Sequence, residues 1–105
     1  MLTKEEEEIV LDELKIFQPV RLAWTTDSAY QIDSNIIEIL YDFKDTSLGY
    51  FELIGAMQKI EKRIPKKFDF TGFEDIPKNV EEDVLKASKT FFNDREKERE
   101  HSVSL

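Results

Sequence analysis

Few side chains in this sequence can do chemistry. The single histidine, His101, stands in the charged C-terminal stretch, where an exposed, uninvolved imidazole is the plain reading, and there is no cysteine. Without a core histidine or a thiol, hydrolysis by a Ser–His or Cys–His pair is excluded. Disulfides and thiolate metal sites go with it. The three glycines, at 49, 55 and 72, are too scattered for a loop that cradles phosphate, so P-loop and dinucleotide fingerprints are absent. What remains is carboxylate chemistry with Mg²⁺, a hard cation that takes oxygen ligands and needs only a few acids.

The elements that must position such acids can be read along the chain. At 105 residues, 40% hydrophobic and 36% charged, it has the size of one domain with an ordinary core. We expect that domain over 1–92 and a charged, disordered tail over 93–105. The formal charge of −8 argues against direct contact with nucleic acid, which needs a clustered positive field. No apolar run approaches the ~20 residues of a membrane helix, and the Glu-rich start is unlike a basic signal-peptide head. A cytoplasmic protein is the default expectation.

A helix is predicted over 3–17, capped by Thr3 with Glu6 at capping-box spacing and stopped by Pro19. Val20–Thr25 reads as a short strand with Val20, Leu22 and Trp24 on one face. A polar turn region follows, in which Asp27, Ser28, Asp33 and Ser34 are turn or cap residues. Asn35–Phe43 is a nearly continuous apolar run interrupted by Glu38, as expected for a strand covered on both faces. Asp45-Thr46-Ser47 opens a helix over 48–63 that Pro65 ends. Lys66–Thr71 alternates Phe68 and Phe70 with Lys67 and Asp69, a half-buried strand. A last helix is predicted over 79–92. The order helix, strand, strand, helix, strand, helix implies an α/β (α+β) domain, a small mixed sheet with helices packed against it.

Two charge features stand out. Lys59, Lys62, Arg63, Lys66 and Lys67, with Glu61 and Asp69, form a local net +3 patch, which reads first as a solvated helix end aided by the dipole. Residues 1–15 sum to −4, and an acidic amphipathic helix could dock on a basic partner.

The stretch Val20-Arg-Leu-Ala-Trp-Thr25, a ten-residue loop, Ile36-Ile-Glu-Ile-Leu-Tyr-Asp-Phe43 and then Thr46-Ser-Leu before an apolar helix resembles the minimal nucleotidyltransferases of the DNA polymerase β superfamily. Arg63-Ile-Pro-Lys-Lys-Phe-Asp-Phe70 is similar to that family's third-acid strand, and 75–92 to its closing helix. The likeness spans about 15–92. It implies a nucleotidyltransferase-like fold in which a Gly-Ser pair after the first strand binds the triphosphate. It also implies an Asp-x-Asp pair on the second strand and a third Asp beyond it, together holding two Mg²⁺ ions. Acids two apart on a strand share a face, and clustered acids bridge the two metals that drive phosphoryl transfer.

This chain departs from the pattern at those positions. Trp24 and Thr25 stand where Gly-Ser belongs, so the resemblance makes them the nucleotide-contacting candidates. Ile36 and Glu38 fall on the Asp-x-Asp positions, with Asn35 replacing Ile36 if a bulge shifts the register. Asp69 matches the third acid. Glu38 and Asp69 are thus the vestigial metal and catalytic candidates, and Trp24 reads most simply as a core or pocket-filling aromatic. The loop's usual basic residue is replaced near Ser28-Ala29.

The resemblance, with its acid pair missing, implies a catalytically inactive, antitoxin-like module that binds a helical HEPN-type protein or forms a homodimer, with no cofactor. The competing expectation is an active nucleotidyltransferase moving a nucleotide from ATP, with Mg²⁺, to a protein or small-molecule hydroxyl. A third is a nucleotide sensor that keeps the cleft without chemistry.

Overall fold

The computed structural model describes residues 1–26, 35–44, 47 and 49–94. Helix α1 runs Lys4–Leu14 and tightens into a 3₁₀ turn, Lys15–Phe17. Its capping box is formed as expected: the Thr3 hydroxyl accepts the Glu6 N–H at 3.1 Å, and the Glu6 carboxylate accepts the Thr3 N–H at 2.9 Å. Gln18 then takes a left-handed conformation, φ 52°, which turns the chain into strand β1, Pro19–Thr25. Strand β2 is Ile36–Phe43, helix α2 Tyr50–Arg63 and strand β3 Lys67–Gly72. A 3₁₀ turn, Phe73–Asp75, leads to helix α3, Lys78–Ala87, and strand β4, Lys89–Asn93.

The four strands form one sheet in the order β3-β2-β1-β4. β1 pairs antiparallel with both β2 and β4, and β2 pairs parallel with β3 through α2. The expected mixed sheet is therefore present. One face carries α1 and α2 over a core of Val10, Leu14, Phe17, Leu22, Ile37, Ile39, Ile60, Ile64 and Phe68. The opposite face carries α3 over a smaller core of Ala23, Leu40, Ile76 and Val84. Alternation along β2 separates the two sets, with odd positions toward α2 and even positions toward α3.

The end of the chain differs from expectation. The predicted helix over 79–92 stops at Ser88, whose backbone is extended and whose N–H and hydroxyl both return to the Leu85 carbonyl. Thr90, Phe91 and Phe92 then enter the sheet beside β1. A β-branched residue and two aromatics suit a pleated surface better than a helix, and β1 would otherwise be a bare edge. Ordered structure also passes residue 92: Asn93 closes β4, and Asp94 pairs with Lys44 at 2.9 Å. The remaining tail, with His101, lies outside the described residues.

The opening of α2 shifts as well. The helix begins at Tyr50, with the Glu52 carboxylate accepting the Gly49 N–H at 2.8 Å. Asp45 and Thr46 lie outside the described residues, as do Asp27, Ser28, Ala29, Asp33 and Ser34. Among the described residues no helix is long and apolar enough to cross a membrane.

Candidate functional site

Strand register assembles three of the four site residues expected from sequence. Thr25 on β1 lies opposite Glu38 on β2, and Glu38 lies opposite Asp69 on β3. Cross-strand partners share a face, so the three form one row across the sheet on the α3 side. The row grades from closed to open. Thr25 and Glu38 are each 1% exposed, whereas Asp69 is exposed. The Thr25 hydroxyl donates to the Ala87 carbonyl at 3.4 Å, fixing the strand end against α3. The Asp69 carboxylate accepts the Phe70 N–H at 2.9 Å.

Neighbouring parallel strands lie about 4.8 Å apart, so the Glu38 and Asp69 carboxyl groups stand on adjacent backbones. Two acids supply too few oxygens for a two-metal clamp. Among the described residues no three His, Cys, Asp or Glu side chains gather where they could hold a metal. Ile36 lies two positions before Glu38 on the same face, opposite Lys67, and offers no oxygen there.

Trp24 is not part of this row. Adjacent strand residues point to opposite faces, and Trp24 packs against the α1/α2 core. Its indole N–H donates to Glu7 Oε2 at 2.7 Å, and the same oxygen pairs with Lys89 Nζ at 2.9 Å. Glu7 is only 7% exposed. It ties α1 to β1 and β4, and Trp24 packs half-buried against that core.

The two charge features answer each other inside the chain. Arg63 pairs with Asp12 at 3.0 Å and reaches Glu13 at 3.8 Å, while Lys66 pairs with Glu6 at 2.7 Å. The Lys66 ammonium beside Glu6 holds that carboxyl below its usual range, and the Arg63 guanidinium does the same for Asp12. Much of the acidic face of α1 is therefore engaged by the basic end of α2.

A second site was not anticipated from sequence. Where β2 and β3 end and α2 begins, a cleft of about 350 Å³ opens among Phe17, Tyr41, Phe43, Tyr50 and Phe73. The rings are ordered against one another: Phe17 stacks on Phe43 at 4.8 Å, and Phe43 on Tyr41 at 4.5 Å. Asp42, Glu74 and Asp75 also line it, and among the described residues no Lys or Arg does. Partial burial and the nearby Asp75 carboxylate push the Tyr41 hydroxyl above its ordinary pKa. The position, beyond the carboxyl ends of parallel strands, is where open α/β sheets commonly bind ligands. A trace of it was present in the sequence, since Tyr41-Asp42-Phe43 and Tyr50-Phe51 set aromatics at an element's end and start.

No protein-family model and no curated protein matches the sequence. Two solved structures share the fold. A chain of the toxin–antitoxin complex MntA–HpeT, crystallised as a double Asp-to-Glu mutant, superposes with a TM-score of 0.64 at 15% identity, covering 98% of this chain and 83% of that one. A crystal structure from Shewanella oneidensis superposes with a TM-score of 0.62 at 13% identity, covering 96% and 78%. This chain therefore has the small α/β fold of those proteins, with a four-stranded mixed sheet and three α-helices among the described residues.

Proposed function

We propose that this chain is a degenerate minimal nucleotidyltransferase that works as an antitoxin-like module, binding a helical HEPN-type protein instead of transferring nucleotides. The observation that carries the reading is the state of β2: an isoleucine and a buried glutamate occupy the two positions where the resembled family has its aspartates. An alkyl side chain donates no electron pair to Mg²⁺, and a carboxylate 1% exposed gives a hydrated cation little access. The shared fold with a toxin–antitoxin chain supports the same direction.

Co-expression with a helical HEPN-type protein, should a neighbouring gene encode one, tests the reading. The expected result is a stable complex and relief of any growth arrest, unchanged in a Glu38→Gln/Asp69→Asn variant. Transfer of labelled nucleotide from ATP with Mg²⁺, abolished by Glu38→Ala, overturns it. That outcome belongs to the active-enzyme reading, which the in-register pairing of Glu38 with Asp69 keeps in play. Calorimetry at millimolar ATP and Mg²⁺ separates the two independently, with no heat of binding expected for the inactive module.

A further inference from the structure

The aromatic cleft at the ends of β2 and β3 differs chemically from the carboxylate row. Its floor is a stacked set of rings, Glu74 and Asp75 line its edge, and among the described residues no cationic side chain lines it. The Glu74 and Asp75 carboxylates repel phosphate, which disfavours a nucleotide here. Ring faces beside carboxylates match one common side chain closely. A guanidinium is planar, stacks on aromatic faces and forks two N–H donors onto a carboxylate. The chain already makes the first of these contacts internally, with the Arg21 guanidinium carbon 4.4 Å from the centre of the Phe73 ring.

Two exposed aromatics stand at the cleft. Tyr50, which lines it, is 74% exposed, and its neighbour Phe51 is 86% exposed on the first turn of α2. Exposed aromatics beside an anchor pocket are a common composition for interface centres. We infer that this cleft receives an arginine side chain from a basic segment of a protein partner, with Tyr50 and Phe51 packing beside the anchor. The inference deepens the proposed function and rests on it for the claim that the partner is a protein.

Isotope-labelled full-length chain is titrated with an alanine-based helical peptide bearing two arginines four residues apart. The same peptide with glutamines in place of the arginines is the reference. The expected result is binding by the arginine peptide alone, with amide shifts concentrated at Tyr41, Gly49, Tyr50 and Gly72–Asp75. Glu74→Gln/Asp75→Asn is expected to weaken binding about tenfold, the scale of one lost charge-assisted contact. Glu82→Gln/Asp83→Asn removes the same charge from α3 and is expected to change binding less than about twofold, as for remote screened charges. Tyr50→Ala, at a largely exposed side chain, weakens binding without touching the core.

Equal weakening by the two charge variants reduces the effect to net charge and overturns the inference. So do shifts confined to α1, or an arginine-dependent homodimer that the cleft variant dissolves. Failure here is distinguishable from failure of the proposed function. A helical-partner complex indifferent to Glu74→Gln/Asp75→Asn removes the cleft's role and leaves the antitoxin reading. Peptide binding without any helical-partner complex does the reverse.

Discussion

The two faces of the sheet are built differently. Under α1 and α2, Leu14, Phe17, Leu22, Ile37, Ile39, Ile60 and Ile64 are all nearly or wholly inaccessible, with a shell of aromatics around them. Under α3 the buried apolar set is Ala23, Leu40, Ile76 and Val84, and it shares its face with buried Thr25 and Glu38. Burying a carboxylate costs several kcal/mol unless polar partners reach it, and such partners find room more easily beneath a single amphipathic helix than within a stack of aromatic rings. Stability is thus concentrated on one side of β2 and the remains of an acid site on the other. A residue one position along the strand changes sides, and with it changes purpose.

The comparison is broken most directly by truncating one side chain on each face. Phe17→Ala is expected to cost about 3–5 kcal/mol in denaturant unfolding, the range for large aromatics in close-packed cores. Val84→Ala is expected to cost about 2 kcal/mol, two methylenes and a small void. Equal losses would mean that the α3 face carries as much of the fold as the other. Trp24→Phe sharpens the contrast at the boundary. It keeps the ring's packing but removes the donor to the mostly buried Glu7 carboxylate, an expected loss of about 1–2 kcal/mol.

Acid titration probes the ion pairs of the α1/α2 side. Glu6 and Asp12 have folded pKa values below their ordinary ones, through Lys66 and Arg63 respectively. Their stabilisation is complete above the ordinary carboxylate range, near pH 4, and is lost as pH falls through the lowered folded values. Thermal melts are therefore expected to be flat from neutrality to about pH 5 and to drop below it, with a smaller drop in Lys66→Met. The smallest effect is a gain: Gln18→Gly relieves a left-handed backbone and is expected to add up to about 1 kcal/mol, net of glycine's extra unfolded-state freedom.

Much of the sheet was legible before the structure. The apolar run through Ile36–Phe43 announced a doubly covered strand, and the alternation of Phe68 and Phe70 with Lys67 and Asp69 announced a half-buried one, which the structure sets parallel beside it. The pairing of Glu38 with Asp69 follows from where those strands align. The separation of Trp24 from Thr25 was also available in principle, because adjacent strand positions face opposite ways. The end of α3 was not. Val80, Val84, Leu85 and Phe91/Phe92 continue a helical stripe, and only the need of β1 for a second neighbour converts the last of them to strand. The aromatic cleft was hidden for another reason. Its lining comes from four separate stretches of chain, from Phe17 to Asp75, and no local pattern joins them.

Strand β4 has a consequence for how the molecule is made. β1 leaves the ribosome early, yet one of its two neighbours is synthesised only after α3. Pairing across such a sequence gap is slow, and nascent chains with open strand edges are adhesive. Until Asn93 clears the exit tunnel, the growing polypeptide keeps one edge of β1 unpaired. A chain cut short before that point lacks β4 and leaves that edge open.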